Sequence, residues 1–330
     1  MNEASTTVHG PVARMGYGAN GKSIKWAVLD TGVESKHPHF LEHNTIAAAF
    51  DCTQKGVKQV DAAKMHDKNG HGTHVCGIIA GEGKSNDLVL TSMAPHAQLY
   101  VYKTLSDNGL GDDSYIIKAL DHIAKLNEGS NKLIVQGINL SLGGPFDNTV
   151  FACGHSPLCR ELKRLWRQGV VVVVAAGNEG VAEVLSSSGT LQLSNDVTIS
   201  DPANLEECIA VGSIHKTSPH FFGPSYFSSR GPTADGRAKP DIIAPGERII
   251  SCNSGFALKN SPDYVEMSGT SMAAPVVSGL LAAFLSVRTE FIGKPDQLKE
   301  VMLQNCTDLK RDRYFQGSGL PNLVKMILNT

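Results

Sequence analysis

"VVVVVAAGN", Val170 to Asn178, is the stretch that decides the fold. Five valines in succession leave no alternation of apolar and polar faces, so a strand here is buried on both sides. Strands of that kind belong to a parallel sheet covered by helices. Similar β-branched runs are "IKWAVLD" (24–30), "QLYVYKTL" (98–105), "IVQGINLSLGG" (134–144) and "ECIAVGS" (207–213). Helical patterns lie between them. "DSYIIKALDHIAKLN" (113–127) sets Ile116, Ile117, Leu120, Ile123 and Leu126 on one stripe, and "CRELKRLWRQG" (159–169) is basic on its outer face and ends at a C-cap Gly169. "SGTSMAAPVVSGLLAAFLSV" (268–287) is apolar all round, the signature of an interior helix. This alternation predicts an α/β fold of three layers with a central, mainly parallel sheet. No linker, repeat or low-complexity tract divides it, so residues 1–23 are expected as an N-terminal extension and 24–330 as one domain.

The chain has 330 residues, 30 Lys plus Arg against 32 Asp plus Glu, and a formal net charge of -2. That balance gives no pull toward nucleic acid or an anionic membrane, so neither is expected as a partner. No run approaches the roughly 18 consecutive apolar residues of a membrane span, and "MNEASTTVHGPVARMG" (1–16) has no apolar core of a signal peptide. A cytoplasmic chain is expected, or a secreted one if a leader has been removed. The seven cysteines (52, 76, 153, 159, 208, 252 and 306) are odd in number and dispersed, which predicts free thiols, although Cys153 and Cys159 are near enough in sequence to pair.

Three short stretches carry chemistry. "VLDTGVESKHPHF" (28–40) puts Asp30 at a strand end, followed by a turn and two histidines, His37 and His39. An aspartic protease would need a second Asp-Thr/Ser-Gly turn on an all-β scaffold, and the chain has one. "GYGANG" (16–21) matches a dinucleotide fingerprint but precedes its strand instead of following one, so it reads as an ordinary loop. "NGHGTHVCGIIAGE" (69–82) offers His71 and His74 at a helix start without the glutamate of a metallopeptidase. His74 reads as a structural histidine and His71, between Gly70 and Gly72, as a functional one. "MSGTSMAAPVVSG" (267–279) puts Ser271 where the apolar helix begins, as either an N-cap or a nucleophile near the positive end of the helix dipole.

In the order Asp30, His71, Ser271, these stations resemble the catalytic segments of the subtilases, the subtilisin-like serine peptidases of family S8. The resemblance rests on "AVLDTGV", "NGHGTHVCG" and "GTSMAAP", with "VVVAAGNEG" (172–180) and "FSSRGPTADGRAKPDIIAPG" (227–246) between them, and covers about residues 20 to 310. It implies the subtilisin-like fold and a serine endopeptidase hydrolysing protein or peptide substrates, with Ser271 as nucleophile, His71 as general base and acid, and Asp30 orienting His71. Asn178 would supply an oxyanion donor. "LSDNGLG" (105–111), including Gly109, and "SLGG" (141–144) would flank the substrate as extended segments. Ser141, Leu142 and Gly143 with Ala175, Ala176 and Gly177 would wall the specificity pocket. Asp107, Asp112, Asp113 and Asp201 near those walls suggest a mild taste for basic side chains. The alternative is a catalytically silent binding protein on the same fold.

No cofactor is needed for such chemistry. Many subtilases hold structural calcium in a loop corresponding to "GEGKSNDLVLTSMAP" (81–95), where Asn86 and Asp87 are the candidate ligands, although the loop differs in length from the usual pattern. Many secreted members also carry a prosegment of several dozen residues. Residues 1–23 are shorter, so either that segment is missing here or the chain folds without one. Cys76, on the same predicted helix as His71, is expected in the core, and the loop around Pro38 is expected on the leaving-group side of the substrate.

Overall fold

The computed structural model describes all residues except 86–87, 145–151 and 187–188, together with the side chains at 184–186 and 189. The sheet strands are β1 Lys25–Asp30, β2 Ile46–Asp51, β3 Lys58–Val60, β4 Gln98–Lys103, β5 Gly137–Leu140, β6 Val171–Ala175, β7 Ile209–His215 and β8 Ile242–Glu247. The helices that matter below are α1 Asn2–Thr7, α2 Gly10–Tyr17, α3 Pro38–Leu41, α4 His71–Ile79, α5 Asp113–Glu128, α6 Pro157–Arg167, α7 Pro219–Phe222 and α8 Thr270–Leu285. The sheet order is β8-β7-β6-β5-β1-β4-β2-β3, parallel throughout except for the β2–β3 pair. This is the mainly parallel, helix-flanked, three-layer arrangement expected from the valine run.

Burial explains the missing alternation. Every residue of β5 and β6 is buried, as are all but the first of β1 and all but the last of β7 and β8. Such strands need cover on both faces. Helices α4 and α8 pack together and onto the sheet, while α5 and α6 form a second pair. All of α8 is buried except Ser271, which is half-buried. The apolar circumference of that helix is therefore core, and its one break is the residue flagged for chemistry.

The strand 134–144 is shorter than its sequence suggests, ending at Leu140, so Ser141–Gly144 lie beyond the sheet, with Gly144 bridged to Asp201. Residues 1–17 form two helices, and Ala4, Val8 and Ala13 belong to the main apolar cluster. The glycines at 16–21 are accordingly not a plain loop: Gly16 lies in the last turn of α2, and Gly18, at φ 72°, caps it. Pro38 opens α3 rather than marking a loop, with the His37 ring accepting from the His39 N–H at 3.2 Å. All seven cysteines are free. No helix among the described residues is long and apolar enough to cross a membrane.

Candidate active site

The site lies at the C-terminal ends of β1, β5 and β6, where a parallel sheet lets consecutive strands deliver loops to one edge. Asp30 is the last residue of β1 and fully buried; its Oδ1 accepts from the Thr31 N–H and the His71 Nδ1–H, each at 2.7 Å. Its other oxygen is buried without a partner among the described residues. Burial alone would pull the His71 pKa down, but the Asp30 charge and hydrogen bond, with a contribution from Asp67, raise it above 6.5.

Asp67, missed in the sequence, builds this juxtaposition. Its buried carboxylate accepts from the Thr31 hydroxyl at 2.8 Å and the Gly70 N–H at 2.9 Å through one oxygen, and from the Thr73 N–H at 2.8 Å and hydroxyl at 2.7 Å through the other. The Thr31 hydroxyl in turn accepts from the Gly72 N–H at 2.9 Å. One carboxylate thus ties the turn after Asp30 to the start of α4. The signal was available, since an aspartate just ahead of a helix commonly accepts from its first N–H groups. Gly72 is required for the close approach: a Cβ there would lie 2.2 Å from the Gly32 carbonyl oxygen.

Ser271 is the second residue of α8, whose N-cap is Gly269, so it is not the cap. Its hydroxyl donates to the Ser141 carbonyl at 3.0 Å. Conversely, the Ser141 hydroxyl donates to the Ser271 carbonyl at 2.8 Å. That carbonyl lacks its helical partner because the residue four positions on is Pro275, which has no N–H. Asn178 is oriented by the same helix start: its Oδ1 accepts from the Thr270 N–H at 2.9 Å and hydroxyl at 3.1 Å. With its oxygen so engaged, the Nδ2 hydrogens remain for another acceptor.

Asp30 lies behind His71; His71, Ser271 and Asn178 line one cleft of about 640 Å³. Ser141, Leu142, Gly143, Ala175, Gly177 and Gly109 line it too. Ala176 does not: it is buried, and its N–H joins the sheet at the Val211 carbonyl. Residues 105–111 are not an extended segment but a tight loop, with Ser106 N–H bonded to Leu110 O and Gly109 N–H to Ser106 O.

Of the four aspartates, Asp113 and Asp201 line the cleft. Asp107 turns outward to Lys68 at 3.1 Å and Lys103 at 3.0 Å, and Asp112 caps α5 through the Ser114 N–H. Partial desolvation at the cleft rim, then repulsion from Asp112 and Asp201, raises the Asp113 pKa. His37 and His39 are fully buried, as is His74, whose Nε2 meets the Ile249 and Val265 carbonyls at 3.1 Å each. Cys76 is buried in the core, and burial pushes its thiol pKa well up, away from thiolate chemistry.

The calcium candidates Asn86 and Asp87 lie outside the described residues. Among the described residues, Glu42, His43 and Glu82 bring metal-ligating atoms within 4.8 Å of one another at the surface.

Comparison with known proteins agrees with this architecture. The subtilase family model (peptidase S8) matches residues 21–320. Serine protease AprX of Bacillus subtilis is 34% identical, over 94% of this chain and 67% of that protein. The major intracellular serine protease of the same organism is 34% identical over 87% and 76%, and its subtilisin E is 32% identical over 93% and 66%.

Proposed function

The chain belongs to the subtilase family and is a serine endopeptidase acting on protein substrates, and from that premise we propose that Asp30, His71 and Ser271 are its triad and Asn178 its oxyanion donor. The observation that carries this reading is the 2.7 Å bond to a buried Asp30 from the Nδ1 of His71, which lines one cleft with Ser271. The bond fixes the tautomer: with its hydrogen on Nδ1, the imidazole offers a bare Nε2 as base.

In the resting enzyme the Ser271 hydroxyl points at the Ser141 carbonyl, so attack begins with its rotation toward His71. His71 takes the proton as Ser271 Oγ bonds to the scissile carbonyl carbon. The proton then passes to the leaving amine as the carbon–nitrogen bond breaks, and water repeats the sequence on the acyl-enzyme. Asp30, whose one ion-pair partner among the described residues is His71, offsets the charge His71 acquires. Asn178 Nδ2 and the Ser271 N–H at the start of α8 receive the oxyanion. All of these groups belong to the protein, so the proposed chemistry needs no metal; a structural calcium at Asn86 and Asp87 is a separate proposal.

Residues 141–144 pair with the substrate backbone, steadied by the Gly144 N–H bond to the Asp201 carbonyl at 3.0 Å. Asp113 and Asp201 favour a basic side chain. The leaving-group side runs along a second groove where Glu34 and Lys36 face Ser254–Leu258, beside the Asp67 that holds the His71 turn. Residues 24–330 act as one catalytic domain.

A fluorophosphonate probe tests the triad. Labelling of the folded protein, abolished in Ser271→Ala, is expected; labelling that persists in Ser271→Ala would assign the nucleophile elsewhere, and none at all would favour a silent binding protein.

A further inference from the structure

Behind the cleft a chain of buried polar groups runs from the middle of α8 to the carbonyl of Ser271. The Ser278 hydroxyl donates to Asn139 Oδ1 at 2.8 Å, Asn139 Nδ2 donates to the Ser141 hydroxyl oxygen at 2.9 Å, and the Ser141 hydroxyl donates to the Ser271 carbonyl at 2.8 Å. Ser278 and Asn139 are fully buried and Ser141 is 3% exposed. Such groups are costly to leave unpaired, and here each is paired.

We propose that Asn139 is a positioning residue for the nucleophile and that Ser278 fixes which way Asn139 faces. The inference rests on reading Ser271 as the nucleophile and goes beyond it, because neither residue lines the cleft.

The argument is one of hydrogen-bond direction. A hydroxyl has one hydrogen to give. Ser141 can spend its hydrogen on Ser271 only if its other neighbour is a donor, and the amide of Asn139 meets that condition only with Nδ2 toward Ser141. Ser278 secures this orientation by occupying Oδ1. A serine within a helix can instead bond the carbonyl four residues back, and here it reaches across to β5. The demand at the other end is equally specific, because Pro275 leaves the Ser271 carbonyl without a helical donor.

The chain therefore joins the end of β5, which carries the substrate-pairing segment, to the first turn of α8, which carries the nucleophile. It also sets the Ser141 backbone, whose carbonyl holds the Ser271 hydroxyl in the resting state. A shift of this turn by about 1 Å is enough to cost on the order of 100-fold in rate. The chain acts through placement, so its loss should appear in kcat more than in KM.

The test is a matched pair at Ser278, with Ser271→Ala as control. Ser278→Thr and Ser278→Val add nearly the same volume to a packed site, but only threonine keeps the hydroxyl. Each is assayed for kcat and KM on a chromogenic peptide and for its rate of fluorophosphonate labelling, with activity expressed per folded molecule. Ser278→Thr is expected to exceed Ser278→Val about 5-fold in kcat and in labelling rate, with KM within about 2-fold. Asn139→Asp, isosteric but unable to donate when ionised, should lower kcat by about 10- to 100-fold. Equal kcat in the threonine and valine variants would overturn the positioning role while leaving the triad reading intact. Undiminished hydrolysis by Ser271→Ala would overturn both.

Discussion

The Ser141 hydroxyl donates to the carbonyl of Ser271 at 2.8 Å, supplying the hydrogen bond that Pro275 denies it. In Ser141→Ala that carbonyl is left without a donor at a half-buried position. The expected stability loss is about 1–3 kcal/mol. Peptidase kcat should fall about 10-fold as the first turn of α8 relaxes, with a smaller change in KM because the backbone of residue 141 still pairs with substrate. Urea unfolding together with steady-state kinetics checks both, and a variant unchanged in kcat would show that the contact is dispensable.

Asn178 is tethered through its oxygen to the Thr270 N–H at 2.9 Å, which leaves its amide hydrogens for the substrate. Asn178→Ala is expected to lower kcat by about 10²- to 10³-fold with KM nearly unchanged, a magnitude measured for a subtilisin and so transferred within the family. Asn178→Asp should fare no better, since an ionised carboxylate donates nothing and faces a developing anion. A KM effect larger than the kcat effect would mean that Asn178 holds the ground state instead.

The His71 pKa lies above 6.5 because the Asp30 charge and hydrogen bond outweigh burial. A base must be neutral, so the acid limb of kcat/KM should have its midpoint above 6.5. Asp30→Asn removes the charge that raises it. The limb should then move to lower pH while the rate falls by about 10⁴-fold, as for the corresponding change in other serine proteases. The stability linkage has the opposite sense from that of a carboxylate: the protonated His71–Asp30 pair contributes fully below 6.5, and the contribution is lost as pH rises through the folded-state pKa. A wild-type acid limb at or below 6.5 would sink this assignment.

Asp113 is exposed at the cleft rim and Asp201 is buried in its wall, both without a cationic partner among the described residues. A peptide-library digest is expected to show Lys or Arg enriched near the cleavage point. That enrichment should fall about 3- to 10-fold in Asp113→Asn, the scale of an exposed charge pair. An even distribution in the wild-type digest would remove the preference altogether.

Much of this was legible in the sequence because it is written locally. The valine run at 170–174 cannot satisfy a one-sided sheet, and the apolar circumference of 268–287 cannot face water, so layer order and the central helix followed from pattern alone. Asp30, His71, Ser271 and Asn178 stand out by their neighbours in the chain, and the structure brings the last three to one cleft with Asp30 bonded behind His71. What escaped depends on direction in space. Asp107 and Asp113 look alike in sequence, yet one is drawn outward by two lysines and the other faces the cleft. Ala176 alternates away from the wall that Ala175 and Gly177 form. Asp67 and Asn139 act through partners 36 and 139 positions distant, which no local pattern encodes.

The histidines that play no part in the proposed chemistry should govern acid stability. His39 and His74 are fully buried, and burial lowers each pKa from 6.5 to about 3. Neighbouring positive groups add to the shift, and hydrogen bonds to backbone carbonyls partly oppose it. His39 faces His37, His43 and the chain's amino terminus, and His74 faces His71. His74 offers its Nε2 hydrogen to two carbonyls and keeps Nδ1 buried without a partner, so a second proton would have no acceptor. Above pH 6.5 neither residue binds a proton in the folded or the unfolded chain, and neither affects stability. As pH falls from 6.5 toward 3 the unfolded chain takes up protons that the folded chain refuses, at a cost of about 1.4 kcal/mol per pH unit for each histidine. His37, also lowered by burial, adds in the same direction, whereas the raised His71 contributes a constant amount below 6.5. Urea unfolding of Ser271→Ala, chosen to prevent self-digestion, should therefore give a stability at pH 5 at least about 4 kcal/mol below that at pH 7. In a His39→Gln background the difference should shrink by about 2 kcal/mol, whatever the variant does to stability at pH 7. Equal stability at the two pH values would mean that these imidazoles are accessible to protons in the folded state.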